Sequence, residues 1–467
     1  MYRKKYHIYF VGIGGIGMSG IAELLLNLGY QVSGSDIQFS GITKRLESLG
    51  GKVYIGHSAH QIEGADVVVT SSAIHQGNPE VEAAYLASIP VIPRAEMLAE
   101  LMRLKYSVAV AGAHGKTSTT SIIASVLGEG KLDPTVVIGG KLNSVGTNAV
   151  LGKGEYIVAE ADESDGSFLK YSPTIAVVTN IDQEHLDFYK DLDEIKQVFL
   201  SFIDRIPFYG LAVLCLDNEA VQDIIPQIKK RFTTYGLNKQ ADYQARHIIF
   251  KGPTSRFFVY YQNEKLGDIS LNLPGIHNVN NAMASIAVGI ELGIPFQVIK
   301  KALETHQGVQ RRLQVKGMEQ GVQVMDDYGH HPTEVKTTLA AVRESWPDRR
   351  LVVIFQPHRY TRTRALFSEF TLSFYQSDVL IVLPIYAAGE KKIGGVDSQS
   401  LCEGIRAHGH KNVTCVKDHA EAVSAAKEAL KKGDIILTLG AGDVWMVGET
   451  LLDEISSSGL QENVNSK

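Results

Sequence analysis

Gly112-x-x-Gly115-Lys116-Thr117 is the group of residues whose types and order most directly suggest chemistry. A lysine and a hydroxyl behind two glycines suit a polyphosphate. Backbone N–H groups face the anion, the ammonium adds a point charge, and the hydroxyl can hold Mg²⁺. The spacing is shorter than G-x-x-x-x-G-K-[ST], with Val110 where the first glycine would stand. The context is nevertheless correct, because Ser107–Ala111 reads as a strand and a Ser/Thr-rich helix follows. ATP is the expected ligand, and His114 and Ser118 belong to the same ATP-facing stretch.

Acidic residues gather at two further strand ends. EYIVA (155–159) runs into Glu160, Asp162, Glu163 and Asp165, and TIAVVT (174–179) runs into Asn180, Asp182, Glu184, His185 and Asp187. In a parallel sheet the ligand crevice lies outside the carboxyl ends of strands, so both clusters share the rim of Lys116 and Thr117. One or two of these acids beside a phosphate loop would suit Mg²⁺.

The elements that must position these groups follow an α/β rhythm. His7–Val11 is a strand leading into Gly12-x-Gly14-x-x-Gly17, and a second strand ends at Asp36, about 20 residues on, where an acid can bond ribose hydroxyls. DVVVT (66–70) and Val91–Ile92 add strands, so residues 1–100 form a small Rossmann-like unit. It is short for a complete dinucleotide fold, which favours a mononucleotide or nucleotide sugar over NAD(P), the oxidoreductase alternative. The stretch 232–271 alternates in a way that suggests antiparallel strands. Asn278 and Asn281 lie three apart on the helix opened by PGIHNVNN, where they could read a base or, for Asn278, cap the helix. After HQGVQRR the rhythm resumes, with strands expected at 322–325, 351–355, 379–383, 413–416 and 435–439. HRYTRTR (358–364) suits capture of carboxylate or phosphate, or is a solvated basic face. GAGDVW (440–445) reads as structural packing.

Composition narrows the class. Over 467 residues, 44% hydrophobic and 21% charged content is that of a globular protein of about three domains. A net charge of −5 without a long basic run argues against nucleic acid. Three scattered cysteines, Cys215, Cys402 and Cys415, fit a reducing cytoplasm and no disulfide frame. The basic-then-apolar start breaks at once into glycines, and no uncharged stretch of about 18 residues follows, so no membrane span is expected.

GIGGIGMSGIA, AGAHGKTSTT, AEADESDGSF, TNIDQEHLDFY, GIHNVNNAMAS, QGVQRR, DDYGHHPTEV and FQPHRYTRTR, in this order, resemble the Mur ligase family, the ATP-dependent amino-acid ligases of peptidoglycan synthesis. The resemblance implies an α/β fold of three domains: a Rossmann-like UDP-sugar domain (1–100), a central P-loop ATPase-like domain (101–309) and a Rossmann-like C-terminal domain (310–467). It implies ATP contacts at Gly112, His114, Gly115, Lys116, Thr117, Ser118, Asn278, Asn281, Arg312 and Asp327. Metal ligands would be Thr117, Glu160 and His185, for Mg²⁺ or Mn²⁺. The UDP-sugar would meet Gly12, Gly14, Gly15, Gly17, Asp36 and Ser72, and the amino acid His330, Arg359 and Arg362. Lys116, His185, Arg312 and Asp327 would carry the catalysis. Several family members use a carbamylated lysine after the metal-binding histidine. Here Phe199 and Leu200 occupy the nearest positions and Lys196 is a turn early, so none is expected. The opening glycines and DDYGHHPTE most resemble the family member that joins L-alanine to UDP-N-acetylmuramate, and the resemblance implies that activity; a cytoplasmic monomer or weak homodimer is expected. Attachment of a murein tripeptide to the same sugar is the alternative.

Overall fold

Short apolar runs punctuated by glycine build three separate sheets in the computed structural model, which describes residues 6–71, 74, 77–139, 149–185 and 188–458. The first contains β1 (His7–Val11), β2 (Gln31–Asp36), β3 (Lys52–Ile55), β4 (Val67–Thr70) and β5 (Val91–Pro93), in the order β3-β2-β1-β4-β5. Every pairing in it is parallel. Ile8 and Phe10 join one apolar cluster and Tyr9 and Val11 another, so β1 is covered on both faces. That explains its unbroken apolar run, as expected of a parallel sheet covered on both sides.

The second sheet holds β6 (Tyr106–Ala111), β7 (Thr135–Val137), β8 (Ala149–Val150), β9 (Tyr156–Glu160), β10 (Ile175–Val178), β11 (Leu211–Cys215), β12 (Phe232–Gly236), β13 (Tyr243–Lys251), β14 (Thr254–Tyr261) and β15 (Glu264–Leu271). Its order is β15-β14-β13-β12-β11-β10-β6-β9-β7-β8. β6 lies between β10 and β9, parallel to both, and feeds the glycine loop into the helix Lys116–Glu129. The antiparallel expectation for 232–271 needs correction at its start, because β12 runs parallel to β11 and to β13. β13, β14 and β15 are neighbours joined by two-residue turns, a connection that only antiparallel strands can use.

The third sheet contains β16 (Gln314–Glu319), β17 (Val322–Asp327), β18 (Leu351–Phe355), β19 (Val379–Val382), β20 (Val413–Cys415) and β21 (Ile435–Leu439), in the order β16-β17-β21-β18-β19-β20. β16, absent from the sequence reading, is a partly exposed edge strand antiparallel to β17. Gln320 (φ 49°) and Gly321 (φ 83°) make the turn between them, the double positive φ of a tight hairpin.

The chain divides into two compact units, residues 1–247, 257–269 and 280–307 in one, and 248–256, 270–279 and 308–467 in the other. Each of the three expected segments carries one sheet. Among the described residues, no helix is long and apolar enough to cross a membrane.

Candidate active site

Lys116 stands at the first position of its helix, behind a loop that only glycine can build. Gly112 has φ 139°, and a Cβ there would lie 2.1 Å from Thr179 Oγ1. Gly115, the residue before the helix, has φ 82° and no side chain to cap the first turn. The turn's N–H groups therefore point outward beside the lysine, a ready anion site. The loop is pinned from β10. His114 N–H donates to Asn180 Oδ1 at 2.8 Å, and its carbonyl accepts from Thr179 Oγ1 at 2.6 Å and from Asn180 Nδ2 at 2.9 Å.

The lysine's head is fixed by a carboxylate. Lys116 Nζ donates to both oxygens of Glu163 at 2.9 Å and to the carbonyl of Gly112 at 2.6 Å. Burial acts to lower the Lys116 pKa, but Glu163, Asp162 and Glu184 outweigh it and raise the ammonium above its ordinary range. For Glu163 burial pulls upward, and Lys116 and His185 overcome it to hold the carboxyl low. His185, in the left-handed region at φ 56°, has Nε2 3.6 Å from Glu163 and 3.7 Å from Glu184. Burial lowers its pKa, yet the two carboxylates raise it overall.

Ligand atoms of Glu163, Glu184 and His185 all lie within 4.8 Å of one another. Two carboxylates and an imidazole beside a phosphate loop fit Mg²⁺ or Mn²⁺. Glu160 stands outside this cluster, its Oε1 accepting from Gly139 N–H at 2.8 Å. Thr117 is buried in the first helical turn and Ser118 follows it. Asn281 borders the loop, since a Cβ on Gly115 would come within 2.9 Å of its Oδ1, which also accepts from Thr119 Oγ1 at 3.0 Å. Asn278, three residues earlier, donates to the carbonyl of Pro274 at 2.8 Å. Lys196 pairs with Asp223 at 2.8 Å and Asp193 at 3.4 Å.

In the first sheet, Gly12 (φ 79°) turns the chain out of β1, and Gly14 N–H donates to Asp36 Oδ2 at 2.8 Å. A Cβ on Gly14 would lie 2.8 Å from that same oxygen, and one on Gly17 would lie 2.8 Å from Arg94. Gly15 precedes the helix Ile16–Asn27 as its cap. These glycines and Asp36 form one contiguous cradle. Ser72 and Asp187 lie outside the described residues.

In the second unit, the carboxyl ends of β17, β18 and β21 gather the remaining expected residues. Asp327 is fully engaged, accepting from Leu313 N–H and Gly329 N–H at 2.8 Å and from Thr338 Oγ1 at 3.2 Å. Burial raises its pKa to about 6, against the lowering effect of Arg312. Arg311 donates to Asp326 Oδ2 at 2.9 Å and to the carbonyls of Gly442 at 3.0 Å and Gly440 at 2.5 Å, a structural role. Its neighbour Arg312 lies 5.4 Å from the Tyr328 ring centre and 3.8 Å from Glu334. His330 and His358 meet edge to face at 5.6 Å, and Arg362 Nη1 is 3.3 Å from His358 Nδ1. His330 and Arg362 are thus brought together through His358, whereas Arg359 (φ 71°) turns to Glu390 at 3.9 Å.

Family models described as "Mur ligase family, catalytic domain", "Mur ligase middle domain" and "Mur ligase, glutamate ligase domain" match residues 7–106, 110–289 and 311–442. A curated protein of Desulfosudis oleivorans, named UDP-N-acetylmuramate--L-alanine ligase, is 69% identical, the match covering 97% of this chain and 99% of that one. The chain belongs to the Mur ligase family. A second relative of that name, from Desulfatibacillum aliphaticivorans, is 66% identical with the same coverage. Among solved structures, UDP-N-acetylmuramate-alanine ligase from Thermotoga maritima superposes with a TM-score of 0.82 at 28% identity, covering 97% of this chain and 99% of its own. A murein peptide ligase from Psychrobacter arcticus shares the fold, with a TM-score of 0.70 at 24% identity over 97% and 99% of the two chains.

In this Mur ligase four residues of the candidate site were not singled out by the sequence reading. Glu163 was one acid among several, and nothing local marks it as the partner of Lys116. Thr179 and Asn180 looked like the polar end of a strand but clamp the loop. His358 was submerged in a basic run. Only the Thr-Asn pair directly after a buried strand at the same rim offered a signal that could have been used.

Proposed function

We propose that the chain joins the amine of L-alanine to the lactyl carboxylate of UDP-N-acetylmuramate, converting ATP to ADP and phosphate through an acyl phosphate, in peptidoglycan precursor synthesis in the cytoplasm. The observation that carries this is the 69% identity, over nearly the whole of both chains, to a protein of that name. The domain boundaries proposed with it are 1–100, 101–309 and 310–467.

In the first step a carboxylate oxygen attacks the γ-phosphorus and ADP leaves. Anion meets anion, so the site must supply positive charge where the transferred group sits. Lys116 and the N–H groups at the start of its helix supply that charge in this reading. A bound Mg²⁺ or Mn²⁺, held by Glu163, Glu184, His185 and the Thr117 hydroxyl, would add further charge neutralisation. Glu160 is the alternative carboxylate for it. Arg312 and Asp327 serve the ATP phosphates and ribose, Asn278 and Asn281 the adenine, and Gly12 to Gly17, Asp36 and Ser72 the UDP-sugar. In the second step the alanine nitrogen attacks the acyl carbon, phosphate departs, and the amine proton passes to a base. His330, which burial lowers to about 4 and so leaves neutral at pH 7, is able to accept it, with His185 and Asp327 as the alternatives. Arg362, brought close to His330 through His358, holds the alanine carboxylate.

The test is phosphate release from ATP with UDP-N-acetylmuramate and, in turn, alanine, serine, glycine and murein tripeptide. Release that needs both sugar and alanine is the expected outcome. Faster release with tripeptide would reassign the chain to precursor recycling, and release without sugar would overturn the proposal.

A further inference from the structure

The fold brings together two of the three cysteines that the sequence scatters. Cys402 lies in the helix Ser398–Ala407, and Cys415 is the last residue of β20, the edge strand beside β19. That helix packs against β20. Cys415 Sγ donates to Ser398 Oγ at 3.5 Å. Ser398 and Cys402 are one helical turn apart, at i and i+4, so they share a face and their side chains are neighbours. Cys415 also packs against the apolar cluster to which Cys402 belongs. Two independent contacts thus set the second thiol beside the first, and neither thiol serves the ATP, sugar or alanine sites.

The two sulfurs differ in access. Cys402 is fully buried, whereas Cys415 is only partly so, and both are free thiols. Burial is the leading cause that raises the Cys402 thiol, and the neighbouring Cys415 adds to it. We propose that Cys402 and Cys415 form a modification site, a dithiol that a low-molecular-weight disulfide such as oxidised glutathione converts to an intramolecular disulfide. The Cys415 thiolate, the accessible one, attacks a sulfur of the small disulfide and expels one small thiolate, leaving a mixed disulfide. The Cys402 sulfur then attacks the Cys415 sulfur. The second small thiolate leaves and takes up the Cys402 proton. Two cysteine thiols are oxidised to one disulfide, and one small disulfide is reduced to two thiols. The product ties the edge strand β20 to its covering helix. In a reducing compartment a bond of this kind is transient and follows the oxidant.

The experiment is incubation of the full chain with oxidised glutathione, followed by acid quench, unfolding, alkylation with N-ethylmaleimide and mass spectrometry of the intact chain and its peptides. Free thiols are expected to fall from three to one, at Cys215, with a single cross-linked peptide pair holding Cys402 and Cys415. Dithiothreitol should restore all three. Cys402→Ala should instead keep glutathione on Cys415, because the resolving sulfur is gone, and absence of that adduct would overturn Cys415 as the attacking thiol. In the wild type, a glutathione adduct that persists on Cys415, a cross-link to Cys215, or three alkylated thiols would each overturn the proposal. Those three readings need no variant to fold.

Discussion

A buried ammonium is costly to desolvate, and removing its partner leaves the charge exposed to that cost. At Lys116 the partner is the bidentate Glu163. Lys116→Ala is expected to reduce ATP turnover to well under a tenth while UDP binding persists, because the glycine cradle of β1 does not involve this lysine. Turnover above a tenth of wild type would contradict its role at the phosphates. Glu163→Gln removes a charge that supports both Lys116 and His185. The His185 imidazole should therefore titrate at lower pH in the variant, since burial pulls it down and Glu163 is first among the groups holding it up. NMR titration of the ring carbon measures this directly, and an unmoved midpoint would show that Glu163 does not govern His185. Stability should fall by about 1–3 kcal/mol, the usual penalty for a poorly compensated buried polar group.

Two glycines, Gly112 in the loop that presents Lys116 and Gly41 in a surface helix, show how far element geometry decides what a side chain would cost. Gly112→Ala would drive a Cβ to 2.1 Å from Thr179 Oγ1 at a φ of 139° that an L side chain rarely adopts. The variant should lose ATP turnover by at least about a hundredfold, corresponding to roughly 3 kcal/mol of misplaced geometry. Gly41, the first residue of the helix Gly41–Ser48, has no positive φ, and a Cβ added there would meet nothing within 4 Å. Gly41→Ala should raise the urea midpoint slightly, by up to about 1 kcal/mol, through lower unfolded-chain entropy. Opposite signs at the two sites would be absent if the loop tolerated substitution freely.

Across the whole molecule, His277, His306, His330 and His358 are each lowered to about 4, with burial the leading cause. In the unfolded chain these rings titrate near 6.5, so unfolding takes up protons across that window. Stability gained by keeping them neutral is complete above about 6.5 and is lost as pH falls towards 4. Asp327, raised to about 6 by burial, acts in the opposite sense, because the folded protein keeps a proton that the unfolded chain releases. His185, raised by its carboxylate neighbours, acts in the same sense as Asp327, and the four lowered rings outweigh these two. The urea midpoint should fall between pH 7 and pH 5, and His306→Gln should flatten that slope. Equal midpoints at the two pH values would refute the burial argument.

Strand, glycine turn and helix follow one another within about twenty residues, so both glycine turns, and the places of Lys116, Thr117, Gly12 to Gly17 and Asp36 around them, were legible from local order alone. So were β17 to β21 of the third sheet, the four inner ones because strands buried on both faces read as continuous apolar runs. Partner choice was not legible. Glu163 is 47 residues from Lys116 and Asn180 is 66 from His114, and no local pattern selects them from nearby acids and amides. Arg311 and Arg312 are adjacent and chemically identical, and only the fold directs the first into the Gly440–Gly442 turn and leaves the second beside Tyr328. β12 took the parallel direction beside β11, and β16 its edge position from having only β17 as a neighbour in the sheet. Sequence set which groups could do chemistry, since residue type and short-range order decide that. Tertiary structure decided which of them meet, because contacts between distant segments are fixed by packing.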